Sequence, residues 1–156
     1  MKIIILVRIL WSAGTQKTAI LGAKHLQDLG NEVEIIFIRK GKTSFIYEQM
    51  LKGVKYSFLN STDKNSSILT PLFTILTSIY SKNLTAPWDL KKEMRIDYDL
   101  LRRFPKFIKN KKPDKIICHD EYAGIAGYFA FKKLKIPYDV FLHEHLMNCY
   151  LESMLA

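Results

Sequence analysis

MKIIILVRILWSAGTQKTAILGAKHLQDLGNEVEIIFI, residues 1–38, runs from an apolar stretch through a small-residue loop and an amphipathic stretch to a glycine and a second apolar stretch. Lys2 to Leu10 is an almost unbroken Ile/Leu/Val segment, the pattern of a strand covered on both faces, as a central parallel strand must be. From Thr15 to Leu29, Ala19, Ala23, Leu26 and Gly30 recur at helical spacing while Lys17, Lys24 and Asp28 point elsewhere, which predicts a helix. Gly30 suits the left-handed position that ends one. Val33 to Ile38 supplies a second strand, closed by Arg39-Lys40-Gly41-Lys42. Strand, helix and strand in this order open a doubly wound α/β domain, and such domains hold ligands just beyond the carboxyl ends of their parallel strands.

Outward from that unit, Phe45 to Gly53 reads as a short helix and Val54 to Leu59 as a short strand. A polar break follows at Asn60 to Ser67, and Ile68 to Tyr80 reads as a helix with Pro71 in its first turn. Between Asp89 and Asn110, Leu100, Leu101, Phe104, Phe107 and Ile108 form an apolar stripe, and Pro105 is expected to kink or restart that helix. A Lys-Lys-Pro-Asp turn leads to a strand at Lys115 to Cys118, a helix from Glu121 to Lys135 and a last strand at Tyr138 to Leu142. That is a β-α-β unit long enough for a right-handed crossover. The expected fold is α/β: a mostly parallel Rossmann-like sheet with helices on both faces.

A chain of 156 residues is one ordinary domain in length and needs no disulfide or metal staple to bury a core. Its two cysteines, Cys118 and Cys149, fit a reducing, cytoplasmic setting. Arg8 and the helix that follows argue against reading the first eleven residues as a signal peptide, and no apolar stretch is long enough to cross a bilayer. The net charge of +9 is uneven: eleven basic residues face five acidic ones between Lys82 and Lys115. A solvated helix face explains such a run, and so does attraction to anionic lipid head groups at the inner face of a membrane. The interleaved acids and the absence of any RNA- or DNA-binding signature argue against a nucleic-acid partner.

Three strand exits carry candidate chemistry. After the first comes Trp11-Ser12-Ala13-Gly14-Thr15-Gln16, where Gly14 permits close backbone approach and the next helix offers unpaired N–H groups to an anion. A plain turn capped by Ser12 or Thr15 reads equally well. G-x-G-x-x-G and G-x-x-x-x-G-K-[ST] are both absent. After Cys118 come His119, Asp120 and Glu121, with Asp120 placed to cap the following helix, whose Ala123, Gly124, Ala126, Gly127 and Ala130 leave room for a sheet or a ligand to approach. The last strand runs into His143-Glu144-His145, where the two histidines share one face of an extended backbone. With no C-x-x-C or H-E-x-x-H pattern, hydrogen bonding or acid-base work suits these imidazoles better than metal ligation, and no metal or cofactor is expected.

The opening KIIILVRILWSAGTQ with its helix and second strand, the segment KPDKIICHDEYAGIAGYFAFKKLKIP and the closing YDVFLHEH together resemble the N-terminal domain of retaining glycosyltransferases of the GT-B fold, family four. These enzymes transfer sugars from nucleotide donors. The resemblance covers both ends of the chain and hardly touches residues 43–88. It implies that Gly14, flanked by Ala13 and Thr15, belongs to the loop that approaches donor phosphates and acceptor. His143 matches the histidine that contacts the transferred sugar and is the catalytic candidate. His119, Asp120 and Glu121 fall among acceptor-side contacts, with Glu144 and His145 beside the catalytic position. Relatives commonly carry a second glycine where this chain has Ala13.

The resemblance further implies that residues 1–156 are one acceptor-side domain, taking a sugar or lipid-linked acceptor. The donor-binding C-terminal domain, which in relatives supplies paired glutamates spaced E-x7-E and basic residues for the diphosphate, has no counterpart in the sequence. Such a chain is expected to be a truncated protein or one subunit of a split enzyme, inactive alone, and able to form homodimers through surfaces left uncovered. A non-catalytic Rossmann-like module docking on an anionic membrane or a protein partner is the alternative. A metal-dependent hydrolase built on His119, His143 and His145 is a more distant one.

Overall fold

A computed structural model describes residues 1–10, 14–41, 45–59 and 100–142, with Glu121 described through its backbone alone. The elements in chain order are β1 (Lys2–Leu10), α1 (Gly14–Asp28), β2 (Glu32–Lys40), α2 (Phe45–Met50), β3 (Lys55–Phe58), α3 (100–108), β4 (Lys115–His119), α4 (Glu121–Leu134) and β5 (Tyr138–Phe141). The polar break at Asn60 to Ser67, the helix at Ile68 to Tyr80, the first part of the helix expected from Asp89 and everything from His143 onward lie outside the described residues.

The five strands form one sheet in the order β3-β2-β1-β4-β5, and every described pairing is parallel. β1 is central, with Ile5 opposite Ile35 of β2 on one side and Ile117 of β4 on the other. Its residues alternate between two cores. Ile3, Ile5 and Val7 pack with Val33, Ile35 and Phe37 under Ala19, Ile20 and Ala23 of α1. Ile4 and Leu6 pack with Ile36, Ile38, Ile116 and Cys118 under α3 and α4, which contribute Leu101, Phe104, Ile108, Ala123, Ala126 and Ala130. A strand buried on both faces has no polar side to show, which is why β1 and β2 read as continuous apolar runs.

Local chemistry fixes the ends of these elements. α1 stops where Gly30 adopts φ 82, with Gly30 N–H donating to the Gln27 carbonyl and Asn31 N–H to that of Leu26. The stripe of small residues in α4 is explained by packing: a Cβ on Gly127 would stand 2.7 Å from Cys118 Sγ and from the Tyr138 ring, and one on Gly124 would stand 3.2 Å from Val140. The helix therefore lies on β4 and β5 at a separation that only glycine allows there. α3 runs unbroken through the buried Pro105, so no restart occurs at that residue; its ring packs inward, and the hydrogen bond it forgoes is not enough to interrupt the helix.

At the amino-terminal edge of the sheet, away from the strand exits, Glu34 is buried on the α3 face of β2. Its carboxylate accepts from Lys111 Nζ and Ser57 Oγ, each at 2.7 Å. Burial alone raises a carboxyl pKa, but these hydrogen bonds and the charges of Lys111 and Lys55 more than offset it and hold Glu34 below its ordinary value.

Candidate functional site

The chain leaves β1 toward α1 and β2 on one side of the sheet, and leaves β4 toward α4 and β5 on the other. The seam between β1 and β4 is therefore where the winding reverses, and in open parallel sheets that reversal opens a crevice at the carboxyl edge. α1 and α4 begin at this edge on opposite faces of the sheet, so two sets of helix N-terminal N–H groups flank the seam.

The two helix ends differ. α1 begins at Gly14 and has no acidic residue in its first turn, so its positive end is not offset by a carboxylate of its own. Gly14 is exposed, and a Cβ built there would meet none of the described residues within 4 Å. Its carbonyl accepts from Thr18 Oγ1 at 3.0 Å. Thr15 is half-buried inside the helix and so is not its cap; Ser12 and Ala13 lie outside the described residues. Gln16 is 6% exposed and turns its Nε2 back to donate to the Ile9 carbonyl at 2.9 Å. Next to it, the space a Cβ on Gly41 would need is occupied by the Leu10 carbonyl oxygen at 2.5 Å, so the exits of β1 and β2 lie directly against each other.

α4 carries its own anion. Asp120 Oδ1 accepts from Ala123 N–H at 2.7 Å, and Oδ2 accepts from the Arg8 backbone N–H at 3.2 Å. Its own N–H donates to the Phe141 carbonyl, and its carbonyl accepts from Gly124 N–H, both at 3.0 Å. One residue thus ties β1, β5 and α4 together at the end of β4, and it does so at φ 99, a backbone conformation ordinarily left to glycine. Asp120 caps the helix through Oδ1 as the sequence suggested, while Oδ2 ties it to β1.

His119 is the last residue of β4, opposite Val7 of β1. It is 6% exposed, with its ring stacked on Phe141 at 5.6 Å between centroids. On the other face of the seam, Arg8 holds its guanidinium 3.9 Å from the centre of the Tyr122 ring, a cation–π pair at the start of α4. Cys118, one residue before His119, has its thiol pushed up to about 12 by burial and by the Asp120 charge, which leaves it a protonated core side chain rather than a nucleophile.

Gly14 and Thr15, at the start of α1, and His119 and Asp120, at the end of β4, therefore stand at the same carboxyl edge of the sheet. His143, Glu144, His145 and Ala13 lie outside the described residues, as does the side chain of Glu121. Sequence reading named Arg8 and Gln16 without giving either a role at the site, and gave none to Tyr122. Arg8 did carry a signal, since a lone charge late in an apolar strand has to leave the core at the strand's exit. Among the described residues no three His, Cys, Asp or Glu side chains gather as metal ligands, and no helix is long and apolar enough to cross a membrane.

No protein-family model and no curated protein matches the sequence. Solved structures do match, at low identity. The lipopolysaccharide outer core galactosyltransferase WaaB aligns at 16% identity and a TM-score of 0.58, over 90% of this chain and 32% of its own. The likeness is one of fold. MurG of Acinetobacter baumannii aligns at 16% identity and a TM-score of 0.53, over 97% of this chain and 38% of its own. The C-terminal domain of a Pyrococcus furiosus hydrogenase aligns at 14% identity and a TM-score of 0.57, over 90% of both chains. The Rossmann-like fold of this chain is thus also that of domains in GT-B glycosyltransferases, and the chain spans about a third of the length of WaaB and MurG.

Proposed function

We propose that this chain is the N-terminal, acceptor-side half of a retaining GT-B glycosyltransferase of the family-four type. It takes a sugar or lipid-linked acceptor and meets a nucleotide-sugar donor held mainly by a second Rossmann-like domain, supplied downstream or by a partner subunit. The observation that carries this reading is the seam between β1 and β4, where the helix terminus at Gly14 has no acidic residue in its first turn and no described residue against it, while the opposite helix is already capped by Asp120. One side of the crevice is left able to receive negative charge.

In this reading Ala13, Gly14 and Thr15 approach the diphosphate and the acceptor, and His143 contacts the transferred sugar. His119, Asp120, Glu121, Glu144 and His145 shape the acceptor side. Retention draws on the donor's leaving phosphate to deprotonate the acceptor, so the protein's share is to orient the acceptor and stabilise departing charge. No metal or cofactor is invoked. The uneven positive charge suits a cytoplasmic protein held at the inner face of a membrane.

The test is sugar transfer from nucleotide sugars, measured with this chain alone and with its downstream region or a co-expressed partner. The expected result is turnover by the completed protein only, and its loss in His143→Ala. A completed protein that neither binds nor turns over any donor refutes the assignment. The second reading is a non-catalytic Rossmann-like module docking on an anionic membrane or a protein partner; the overlap with the hydrogenase's C-terminal domain over 90% of both chains shows that a fold of this size also occurs as a domain outside glycosyltransferases. Strong, salt-sensitive sedimentation with anionic liposomes, unchanged in His143→Ala and unaccompanied by any sugar binding, would support that module instead.

A further inference from the structure

Arg8 interrupts the central strand of the sheet with a charge. It follows Leu6 on the face that α4 covers and is half-buried at the carboxyl edge, beside the seam with β4. Its guanidinium stands 3.9 Å from the centre of the Tyr122 ring, which packs against the core on that face. Its backbone N–H donates to Asp120 Oδ2 at 3.2 Å. Backbone and side chain are thus both fixed to the start of α4, and a long side chain that would ordinarily sample many rotamers is held in one place.

Stacking engages the face of a guanidinium, whereas its N–H donors all point outward in the plane and outnumber what one carboxylate can accept. Such an edge matches an oxyanion that offers paired oxygens, as phosphate does. The charges around it select the same sign. Among the charged residues of β1, α1 and β2, the acids Asp28, Glu32 and Glu34 stand toward the amino edge, while Arg8, Lys17, Arg39 and Lys40 stand toward the carboxyl edge. Arg39 lies opposite Ile9 and Lys40 opposite Leu10, so the exits of both strands are cationic. α1 carries Lys17 in its first turn and ends on Asp28, the reverse of the order its dipole favours, so helix stability does not explain the arrangement. We propose that Arg8 binds a phosphate group in the crevice, donating two N–H bonds from the edge of its guanidinium while Tyr122 holds the face. The group is a phosphate monoester or a diphosphate, carried by the nucleotide donor or by a phosphorylated acceptor. The proposal rests on the crevice of the acceptor-side reading above and adds the side chain that takes the anion.

An arginine Nε–H gives its own signal in amide NMR spectra, so occupation of the guanidinium edge is directly observable. The protein is titrated at fixed ionic strength with UDP, glucose 1-phosphate and glycerol 3-phosphate at millimolar concentrations, with glucose as the uncharged control, and the signal is assigned by its absence in Arg8→Lys. The expected result is a saturable shift of that signal by at least one phosphate probe and by none of the glucose. Arg8→Lys keeps the charge but loses the planar fork, and is expected to lose about tenfold in affinity for that probe, with the melting temperature close to that of the wild type. A shift with UDP alone assigns the group to the donor, and a shift with the monoesters alone assigns it to the acceptor. If a phosphate probe binds wild-type protein and Arg8→Lys alike, with no shift of the signal, the inference falls and the acceptor-side reading stands. If the signal moves with no probe while Arg8→Lys lowers the melting temperature, the contact with Tyr122 is only a tie between β1 and α4, and the inference falls. If no probe binds the wild-type protein at all, the inference also falls, and turnover by the completed protein decides the acceptor-side reading separately.

Discussion

Asp120 concentrates more of the site's geometry than any other described residue, because four hydrogen bonds converge on it while its backbone sits at φ 99. A conformation of that kind is retained only where its surroundings over-determine it. Asp120→Ala keeps the strain and removes both side-chain bonds, so it is expected to lower stability by about 1–2 kcal/mol in chemical denaturation. Asp120→Gly loses the same bonds but relieves the backbone, and is expected to be the milder of the two; the reverse order would mean that the strain is not real. Gly127 supplies a second test at this scale. With Cys118 Sγ and the Tyr138 ring both 2.7 Å from where a Cβ would sit, Gly127→Ala forces α4 off the sheet at an expected cost of about 1–3 kcal/mol, read from the same denaturation midpoint. Of the candidate residues, Asp120 was legible as a cap from its place before a helix. Gln16 was not legible in the same way, because burial of a polar side chain depends on what packs over it and leaves no periodic trace in the chain.

At the scale of elements, α4 ends on Lys135 at φ 60, its N–H donating to the Phe131 carbonyl at 2.9 Å. Glycine reaches that conformation without the Cβ clash, so Lys135→Gly is expected to stabilise the protein by about 0.5–1 kcal/mol, seen as a raised melting temperature. The opposite edge of the sheet holds a different kind of join. Lys111, just past α3, reaches Glu34 of β2 and thereby fastens that helix to the strands by a largely buried ion pair at 2.7 Å. Because the folded protein holds the Glu34 pKa below its unfolded value, the stabilisation is fully present above the unfolded carboxyl pKa of about 4.3 and is lost as pH falls through the lower folded value. Wild-type stability is therefore expected to hold from neutrality to about pH 5 and to decline below it. Glu34→Gln should start about 3 kcal/mol lower at neutral pH and show a shallower acid decline, measured by denaturant titration across the range. Sequence periodicity located α1, β2, α2, β3, α4 and β5 within a residue or two or a turn, since each rests on local spacing and local stop signals. It overstated Pro105, whose effect depends on whether neighbouring packing tolerates one missing hydrogen bond.

Across the whole molecule, the order β3-β2-β1-β4-β5 makes stability radiate from the centre. β1 and β2 are buried on both faces, whereas β3 and β5 are the outer strands among the described residues, with exposed Tyr56, Val140 and Phe141. Amide hydrogen exchange is accordingly expected to be slowest in β1 and β2, faster in β5, with β3 exchanging well before the centre; uniform protection would contradict the layered core. Doubly wound topology was legible because two-sided burial writes itself as unbroken apolar runs. The crevice was legible only as a location, since which side chains turn into it is decided by pairings between distant parts of the chain.

Lys2 N–H donates to the Asp114 carboxylate across a separation of 112 residues, and β1 finds its β4 neighbour only there. During synthesis, then, β1 leaves the ribosome well before the strand that completes it. It pairs early with β2 and waits with its other edge bare until residues beyond 115 emerge. A domain so ordered is open to wrong partners until β4 appears, and the speed at which the segment between β2 and β4 is delivered becomes part of how reliably it matures.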